Sequence, residues 1–291
     1  MLRGPTASVG TKEQLAFRDA LRDGGLVEGR DFVIEVRWAD GRRDALPRLA
    51  AELVALKPSV VVTGGAPAVN ALLAADAAVP IVVLIGDAVA AGLARELGRP
   101  GGRVTGVSFI ASSLDAKRLE FLALVVPKRS MVLELADPET RSGSRQPLVD
   151  TARTLGLTLH RVEATSLQDI EAAFTAANRL RVAAINVLAS SFLHSNRIRI
   201  IDLATAAKLP TIWQWPEGAD DGALLGYGPA LTTMWAQLGP YVARILAGAR
   251  AGDLPMQQPT KFELVINQKT ARAIGVTVPA ELLLRADRVI D

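Results

Sequence analysis

Apolar and polar residues follow one another along the chain in a pattern that predicts alternating buried strands and amphipathic helices. Five consecutive apolar residues, Ile81–Ile85, predict a strand buried on both faces, as is typical of parallel sheets. Ser59–Thr63 and Val182–Leu188 have the same character, whereas Asp44–Leu56 places leucines at helical spacing. Alternation of this kind predicts parallel sheets whose strands are joined by right-handed helical crossovers.

The alternation forms two series of similar length, and the second begins at Ser112-Ser113. The last quarter of the chain is too short for a third domain. Its helix at Leu231–Leu246, strand at Lys261–Ile266 and terminal helix at Pro279–Val289 must therefore complete the first two series. We expect the chain to cross between two lobes more than once.

These elements predict an α/β protein of two Rossmann-like lobes with parallel sheets. We expect lobe 1 to contain residues 1–110 and about 228–266, and lobe 2 to contain residues 111–227 and about 267–291. Met1–Gly10 has no strand-like apolar run, so the usual first strand is either missing or degenerate. The same segment has no apolar stretch typical of a signal peptide, so either the protein is cytosolic or the chain is given without its leader.

Composition narrows the classes of function. The chain is 49% hydrophobic, and its 33 basic and 30 acidic residues give a net charge of +3. No run of Lys or Arg exceeds two residues, so a nucleic-acid surface is not predicted. The chain has no cysteine, which excludes thiol catalysis, disulfides and thiolate metal sites.

Catalytic motifs are not apparent in the sequence. The two histidines are His160 and His194, and Ser190-Ser191 lies too close to His194 along one helix for triad geometry. The acidic residues around Asp220-Asp221 lack the spacing of a Ca²⁺ loop. We predict no catalytic residue, no metal site and no cofactor.

Three parts of the chain have the character of ligand contacts. Gly64–Pro67 follows a predicted strand and turns backbone N–H groups and a helix N-terminus outward, which favours anions, although a purely structural turn is the alternative. Asp87 follows Ile81–Ile85 at a strand end, where ligands bind in open α/β sheets. Trp213 and Trp215 are unusual in a chain with 4% aromatic residues, and they would share one face if their strand continued.

The chain resembles the ABC-transporter substrate-binding proteins of the type I periplasmic-binding fold, the group that includes tryptophan- and phenylalanine-binding members. The resemblance covers nearly all of the chain from about Leu15, and the tail Gln258–Asn267 with Lys269–Ala271 is its most specific part. The other matching segments are Gly25–Arg30, Arg37–Ala39, Leu49–Leu53, Pro58–Val62, Gly86-Asp87, Arg99–Ser108 and Lys117–Leu119.

The resemblance implies a solute-binding component of an ABC importer, with a hinge of about three crossings. It would capture a small, aromatic or amino-acid-like ligand between its lobes and close about the hinge. It implies a periplasmic or cell-surface location, a membrane permease as partner and a monomeric state. The expected ligand-binding residues lie at strand ends and in loops: Gly65, Ala66, Pro67, Asp87, Ser142, Ser144, Ser190, Ser191, Trp215 and Glu217.

The chain departs from the family pattern after the strand Val182–Leu188. An acidic residue and a proline are common there, whereas this chain has Ala189-Ser190-Ser191 and no acid to hold a ligand ammonium. Asp87, Asp137 and Glu217 are the remaining candidates for that role. The alternative interpretations are an enzyme on the same scaffold, the effector domain of a sugar-sensing regulator, and a binding protein that lacks its first strand.

Overall fold

The computed structural model describes residues 1–4, 11–75, 78–109, 111–140 and 144–291, without the side chains of residues 111–113. The strands in this part of the chain are β1 (Leu2–Arg3), β2 (Arg37–Trp38), β3 (Val61–Gly64), β4 (Ile81–Ile85), β5 (Val104–Ser108), β6 (Met131–Ala136), β7 (Thr158–Glu163), β8 (Ala184–Val187), β9 (Thr211–Trp213), β10 (Leu225–Gly228), β11 (Glu263–Asn267) and β12 (Arg288–Ile290). The α-helices are α1 (Thr11–Asp23), α2 (Leu46–Ala55), α3 (Ala66–Ala75), α4 (Ala111–Ala123), α5 (Gln146–Leu155), α6 (Leu167–Leu180), α7 (Ser191–Ser195), α8 (Arg197–Ala206), α9 (Glu217–Asp220), α10 (Leu231–Ala236), α11 (Leu238–Leu246), α12 (Gln268–Ile274) and α13 (Ala280–Leu283).

The chain divides into two compact units. Unit 1 contains Met1–Phe109, Glu139–Ser142 and Leu231–Pro259, and unit 2 contains Ile110–Pro138, Gly143–Ala230 and Thr260–Asp291. From the sequence, lobe 1 is expected to continue to about residue 266. The structure instead places β11 in unit 2, because this strand pairs with β10 over four residues.

Unit 1 contains a parallel sheet of order β3-β4-β5 and a separate parallel pair of β1 and β2. Every residue of β4 is buried, as its continuous apolar sequence predicts for a strand covered on both faces. The opening residues form the degenerate strand that the sequence left as one of two alternatives. Leu2 of β1 pairs with Arg37, and its carbonyl accepts a hydrogen bond from the Thr63 hydroxyl at 2.9 Å.

Gly106 is required by the sheet of unit 1. Its φ is +137°, and a Cβ atom there would lie 2.1 Å from the carbonyl oxygen of Val83 on the neighbouring strand. Only glycine fits this position. Strand packing in β5 therefore explains the glycine in Thr105-Gly106-Val107-Ser108, the segment that matches the family pattern.

Unit 2 contains a seven-stranded sheet of order β12-β11-β10-β9-β8-β6-β7, in which β10 and β11 form the antiparallel pair. Apolar residues of its strands and helices form buried clusters around the fully buried Leu119, Leu133 and Ile212. Ser166 caps α6, and the Asp169 side chain completes the capping box by accepting from the Ser166 N–H. The architecture of unit 2 thus follows from local signals and parallel crossovers.

Some predicted elements are wrong in length or type. Asp31–Trp38 partly alternates apolar and polar residues, as a strand of that length would, but only β2 forms there because its partner β1 is two residues long. The terminal helix expected at Pro279–Val289 ends after α13, and Arg288–Ile290 instead extends the sheet beside β11. The helix expected at Leu231–Leu246 is two helices, α10 and α11, instead of one. Pairing with distant strands overrides local helix propensity at the terminus.

Candidate functional site

The turn after β3 in unit 1 has the form that the sequence predicts. Gly65 has a φ of +83°, and its N–H donates to the carbonyl of Leu84 at 2.9 Å. Helix α3 then begins at Ala66, with Pro67 in its first turn. The turn places a helix N-terminus directly beyond a buried strand, which is a position suited to a partly negative ligand group.

Asp87 follows β4, the strand that pairs with β3, and its carboxylate orders the next turn. Its Oδ1 accepts hydrogen bonds from the N–H groups of Val89 at 3.1 Å and Ala90 at 2.9 Å. The residue is partly exposed. The Asp87 carboxylate therefore caps its own turn. A ligand that contacts Asp87 would bind a carboxylate that already has this structural role.

Arg3, which the sequence analysis did not single out, is the last residue of β1 and is 2% exposed. Its guanidinium carbon lies 3.8 Å from the ring centroid of Trp235 and 5.4 Å from that of Trp38. Its Nη2 is 3.8 Å from Glu13 Oε2, which is an ion-pair distance and not a hydrogen bond. Burial lowers the pKa of Arg3 to about 10, so the guanidinium is protonated at neutral pH.

The indole of Trp235 connects Arg3 to the end of β3. A Cβ atom added to Gly64, the last residue of β3, would lie 3.4 Å from Trp235 Cζ2. Arg3, Trp235 and the predicted turn at Gly65 therefore belong to one cluster in unit 1. The sequence signal for this cluster is weak, because Trp38 and Trp235 are far apart along the chain and Arg3 lies in an apolar-poor opening segment.

In unit 2, three strand ends are joined by one buried hydrogen-bond network. Ser190 follows β8, and its hydroxyl donates to Asp137 Oδ2 at 2.5 Å beyond the end of β6. The same hydroxyl accepts from the N–H groups of Phe192 and Leu193 and so caps α7. The Gln214 side chain, beyond β9, exchanges hydrogen bonds with the backbone N–H and carbonyl of Ser190.

This network brings a predicted residue and a candidate acid together. The loop at Ala189-Ser190-Ser191 contains no acid of its own, but Asp137 lies against Ser190. The Ser190 hydroxyl already makes one donated and two accepted bonds, which is its full capacity. The group in this network with the chemistry to hold an ammonium is the Asp137 carboxylate.

Arg118 supports the segment that carries Trp215. This fully buried arginine of α4 donates to Asp115 Oδ1 at 2.6 Å, to the Tyr227 carbonyl at 2.9 Å and to the Gln214 carbonyl at 3.2 Å. Burial lowers the pKa of Arg118 and raises that of Asp115 to about 6, with the opposite charge of each partner acting against the burial effect. The pair fixes the chain immediately before Trp215.

The two tryptophans do not share a face, because β9 ends at Trp213. Trp213 is fully buried in the apolar core of unit 2, and a Cβ atom on Gly218 would lie 2.6 Å from its Cβ. Trp215, beyond the strand, is 5% exposed. Of the two, only Trp215 lies outside the strand, where a ligand contact was predicted.

The remaining predicted residues occupy helix starts. Ser144 is exposed, and its hydroxyl accepts from the Gln146 N–H at 3.1 Å just before α5. Ser191 is the first residue of α7, and its carbonyl accepts from the Ser195 hydroxyl at 2.7 Å. Glu217 is partly buried and opens α9. Ser142 lies outside the described residues, so its predicted role is not addressed by the structure.

A search of the described residues for groups of His, Asp and Glu able to hold a metal ion finds none. Within the same part of the chain, no helix is both long and apolar enough to span a membrane. The features that remain for recognition are the turns, carboxylates, indole rings and buried guanidinium described above.

Comparison with known proteins adds a family and a fold. The model of a family described as ABC transporter substrate binding protein matches residues 10–290. The tyrosine-binding protein of Clostridioides difficile strain R20291 is 24% identical over 271 residues, which are 91% of this chain and 77% of that protein.

Two solved structures are similar over almost their full length. A conserved domain protein from Vibrio cholerae is 26% identical with a TM-score of 0.89, covering 99% of this chain and 97% of that one. An ABC domain from Streptococcus pneumoniae in complex with L-Trp is 23% identical with a TM-score of 0.88, covering 99% and 98%. These likenesses confirm the predicted α/β fold of the type I periplasmic-binding kind.

Proposed function

Because the chain belongs to the family of ABC transporter substrate-binding proteins, we propose that it captures a small amino-acid-like molecule outside the cytoplasm and delivers it to a membrane permease. The proposed location is the periplasm or the cell surface, and the proposed state is a monomer. Two of the similar proteins are associated with aromatic amino acids: one is a tyrosine-binding protein, and the structure of the other is a complex with L-Trp. Their ligands make an aromatic amino acid the first candidate for this chain.

The observation that carries this proposal is the hydrogen-bonded network of Asp137, Ser190 and Gln214 in unit 2. It joins the carboxyl ends of β6, β8 and β9, and ligands of open parallel sheets bind at such ends. It supplies the acid that the sequence after Val182–Leu188 lacks. A carboxylate oriented by a neighbouring hydroxyl is a suitable partner for a ligand ammonium.

We propose the following ligand contacts in each unit. Unit 1 would contribute the backbone of Gly65, Ala66 and Pro67 together with Asp87. Unit 2 would contribute Ser144, Ser191, Trp215 and Glu217 together with the Asp137–Ser190 pair, and Ser142 stays a predicted contact. Trp215 is the residue suited to stacking on an aromatic ring. Capture would proceed by closure of the two units about the chain crossings, without chemical change of the ligand.

A thermal-shift screen of the full chain tests this proposal. The panel contains aromatic and branched amino acids, aromatic acids and small amides. A ligand present at about 100 times its dissociation constant stabilises the folded state by about 2.7 kcal/mol, a readily measured shift. We expect the largest shifts from aromatic amino acids. A well-folded protein that responds to no member of the panel, or that converts one of them to a product, contradicts the proposal.

A further inference from the structure

Arg3 is a buried cation, and two of its nitrogen atoms have no acceptor in the part of the chain that the structure describes. Its side chain is 2% exposed, and its Nε and Nη1 atoms reach no acceptor among the described residues. The Nη2 atom is 3.8 Å from Glu13 Oε2, beyond hydrogen-bond distance. Buried guanidinium groups normally have their N–H groups paired, because an unpaired charge away from water is strongly unfavourable. Arg3 is therefore prepared for an acceptor that the described chain does not provide.

The surroundings of Arg3 hold it in one orientation. The Trp235 ring lies 3.8 Å from the guanidinium carbon and the Trp38 ring 5.4 Å from it, so both indoles contribute cation–π attraction. These contacts fix the plane of the guanidinium but satisfy none of its N–H groups. Glu13 is 7% exposed, and its Oε2 likewise has no hydrogen-bond donor among the described residues. It balances the charge of Arg3 without occupying its donors.

The location connects this cation to the proposed binding site. Arg3 ends β1, and Trp235 contacts the position of Gly64 immediately before the Gly65–Pro67 turn. A planar guanidinium with free donors matches a carboxylate, which can accept two parallel hydrogen bonds. We propose that Arg3 anchors the carboxylate group of the ligand, with the two indoles as walls of that subsite. This inference rests on the proposed function and names the ligand class as a carboxylic acid.

The test compares each acid with its amide. L-tryptophan and L-tyrosine are titrated calorimetrically into the full chain beside L-tryptophanamide and L-tyrosinamide, which lack the carboxylate. We expect the unmodified chain to prefer the acids by roughly 10- to 100-fold, as expected for a hydrogen bond between charged groups. Arg3→Gln should remove that preference by weakening the acids to the level of the amides while leaving amide affinity unchanged. A folded Arg3→Gln variant that keeps the preference overturns the inference.

Two further variants keep the result interpretable. Arg18→Gln changes an arginine of unit 1 that pairs with Glu28 at the surface, and it should retain the full preference for acids. Arg3→Lys keeps the positive charge but loses the parallel N–H donors of the guanidinium. It therefore replaces Arg3→Gln in the test if Arg3→Gln does not fold. A reduced acid-to-amide ratio in Arg3→Lys supports the anchor, and an unchanged ratio contradicts it. A purely structural role for Arg3 would change stability without changing this ratio.

Failure of the proposed function gives a different pattern. If the unmodified chain binds none of the amino acids or amides, benzoate and benzamide are compared by thermal shift. In one outcome benzoate produces a shift, benzamide does not, and the benzoate shift disappears in Arg3→Gln, or in Arg3→Lys if Arg3→Gln does not fold. This outcome supports the carboxylate subsite and contradicts an amino-acid ligand. If benzoate also produces no shift that depends on Arg3, the inference is wrong.

Discussion

Arg3 in unit 1 and Arg118 in unit 2 are both buried and both lie beside an acidic side chain, but their hydrogen bonding is opposite. Arg118 bonds to Asp115 at 2.6 Å and to the carbonyls of Tyr227 and Gln214. Arg3 approaches Glu13 only to 3.8 Å and stacks on Trp235. The donors of Arg118 are thus bound within the fold, whereas Nε and Nη1 of Arg3 have no acceptor among the described residues.

The largest expected effect concerns Arg118. Replacing it by Met leaves Asp115 buried without its counter-charge and removes the donors to two carbonyls. Breaking such a buried pair lowers the free energy of unfolding by about 3–5 kcal/mol. Urea denaturation followed by circular dichroism measures this loss. Arg3→Met serves as the matched variant and should cost less, because Nε and Nη1 of Arg3 donate to no described residue and the change removes only the 3.8 Å ion pair with Glu13 and the indole contacts. Equal losses in the two variants would contradict the contrast.

Ser190→Ala should have the next largest effect. The substitution removes the cap of α7 and the hydrogen bond to buried Asp137, which together lower the free energy of unfolding by about 1–3 kcal/mol. The neighbouring Ser191→Ala is the control, since its hydroxyl makes no hydrogen bond among the described residues. Denaturant titration of both variants should show a change within about 0.5 kcal/mol for Ser191→Ala. A Ser190→Ala loss no larger than that of the control would remove the basis for an ordered network.

Asp87→Ala should lower the free energy of unfolding by about 1 kcal/mol, because two turn N–H groups lose their acceptor. Asp87→Asn retains a side-chain oxygen at the same place and should restore most of this stability. Thermal unfolding without ligand distinguishes the two substitutions. If Asn and Ala have the same effect, the carboxylate charge and not the cap geometry is responsible.

The smallest expected effect is a pH dependence that arises from Asp115. Burial raises the pKa of this carboxyl to about 6, above its value in the unfolded chain. Folding therefore binds a proton between those two values, and this contribution to stability is complete below the unfolded pKa and is lost as pH rises through about 6. The stability difference between the unmodified chain and Asp115→Asn should decrease over that interval. Denaturation curves at several pH values that show a constant or increasing difference contradict the assignment.

The sequence predicts those elements whose signals are local. Ile81–Ile85 is a strand to the residue because its five apolar positions are buried on both faces, and the Ser166 capping box lies within four residues. The strands β2 and β12 could not be delimited, because their lengths depend on partners elsewhere in the chain. The pattern predicted two α/β lobes, and resemblance to the family supplied the type I periplasmic-binding architecture and the class of function.

The candidate site was predicted only where one chain segment carries it. The Gly65–Pro67 turn is visible in sequence as a glycine pair and a proline after a strand. The pairing of Asp137 with Ser190, and of Arg3 with Trp235, joins residues from distant segments and has no sequence signature. A lone arginine after Leu2 gave no reason to expect a buried guanidinium whose Nε and Nη1 have no acceptor among the described residues, because burial and hydrogen bonding are properties of the folded chain.

Equilibrium dialysis against L-tryptophan and L-tyrosine, with mass spectrometry of the recovered ligand, tests the central claim most directly. The proposed function predicts retention of one ligand molecule per chain and recovery of that molecule chemically unchanged. No retention of either amino acid by the folded chain would contradict an aromatic amino-acid ligand. Recovery of a modified molecule would contradict a binding protein that captures its ligand without chemistry.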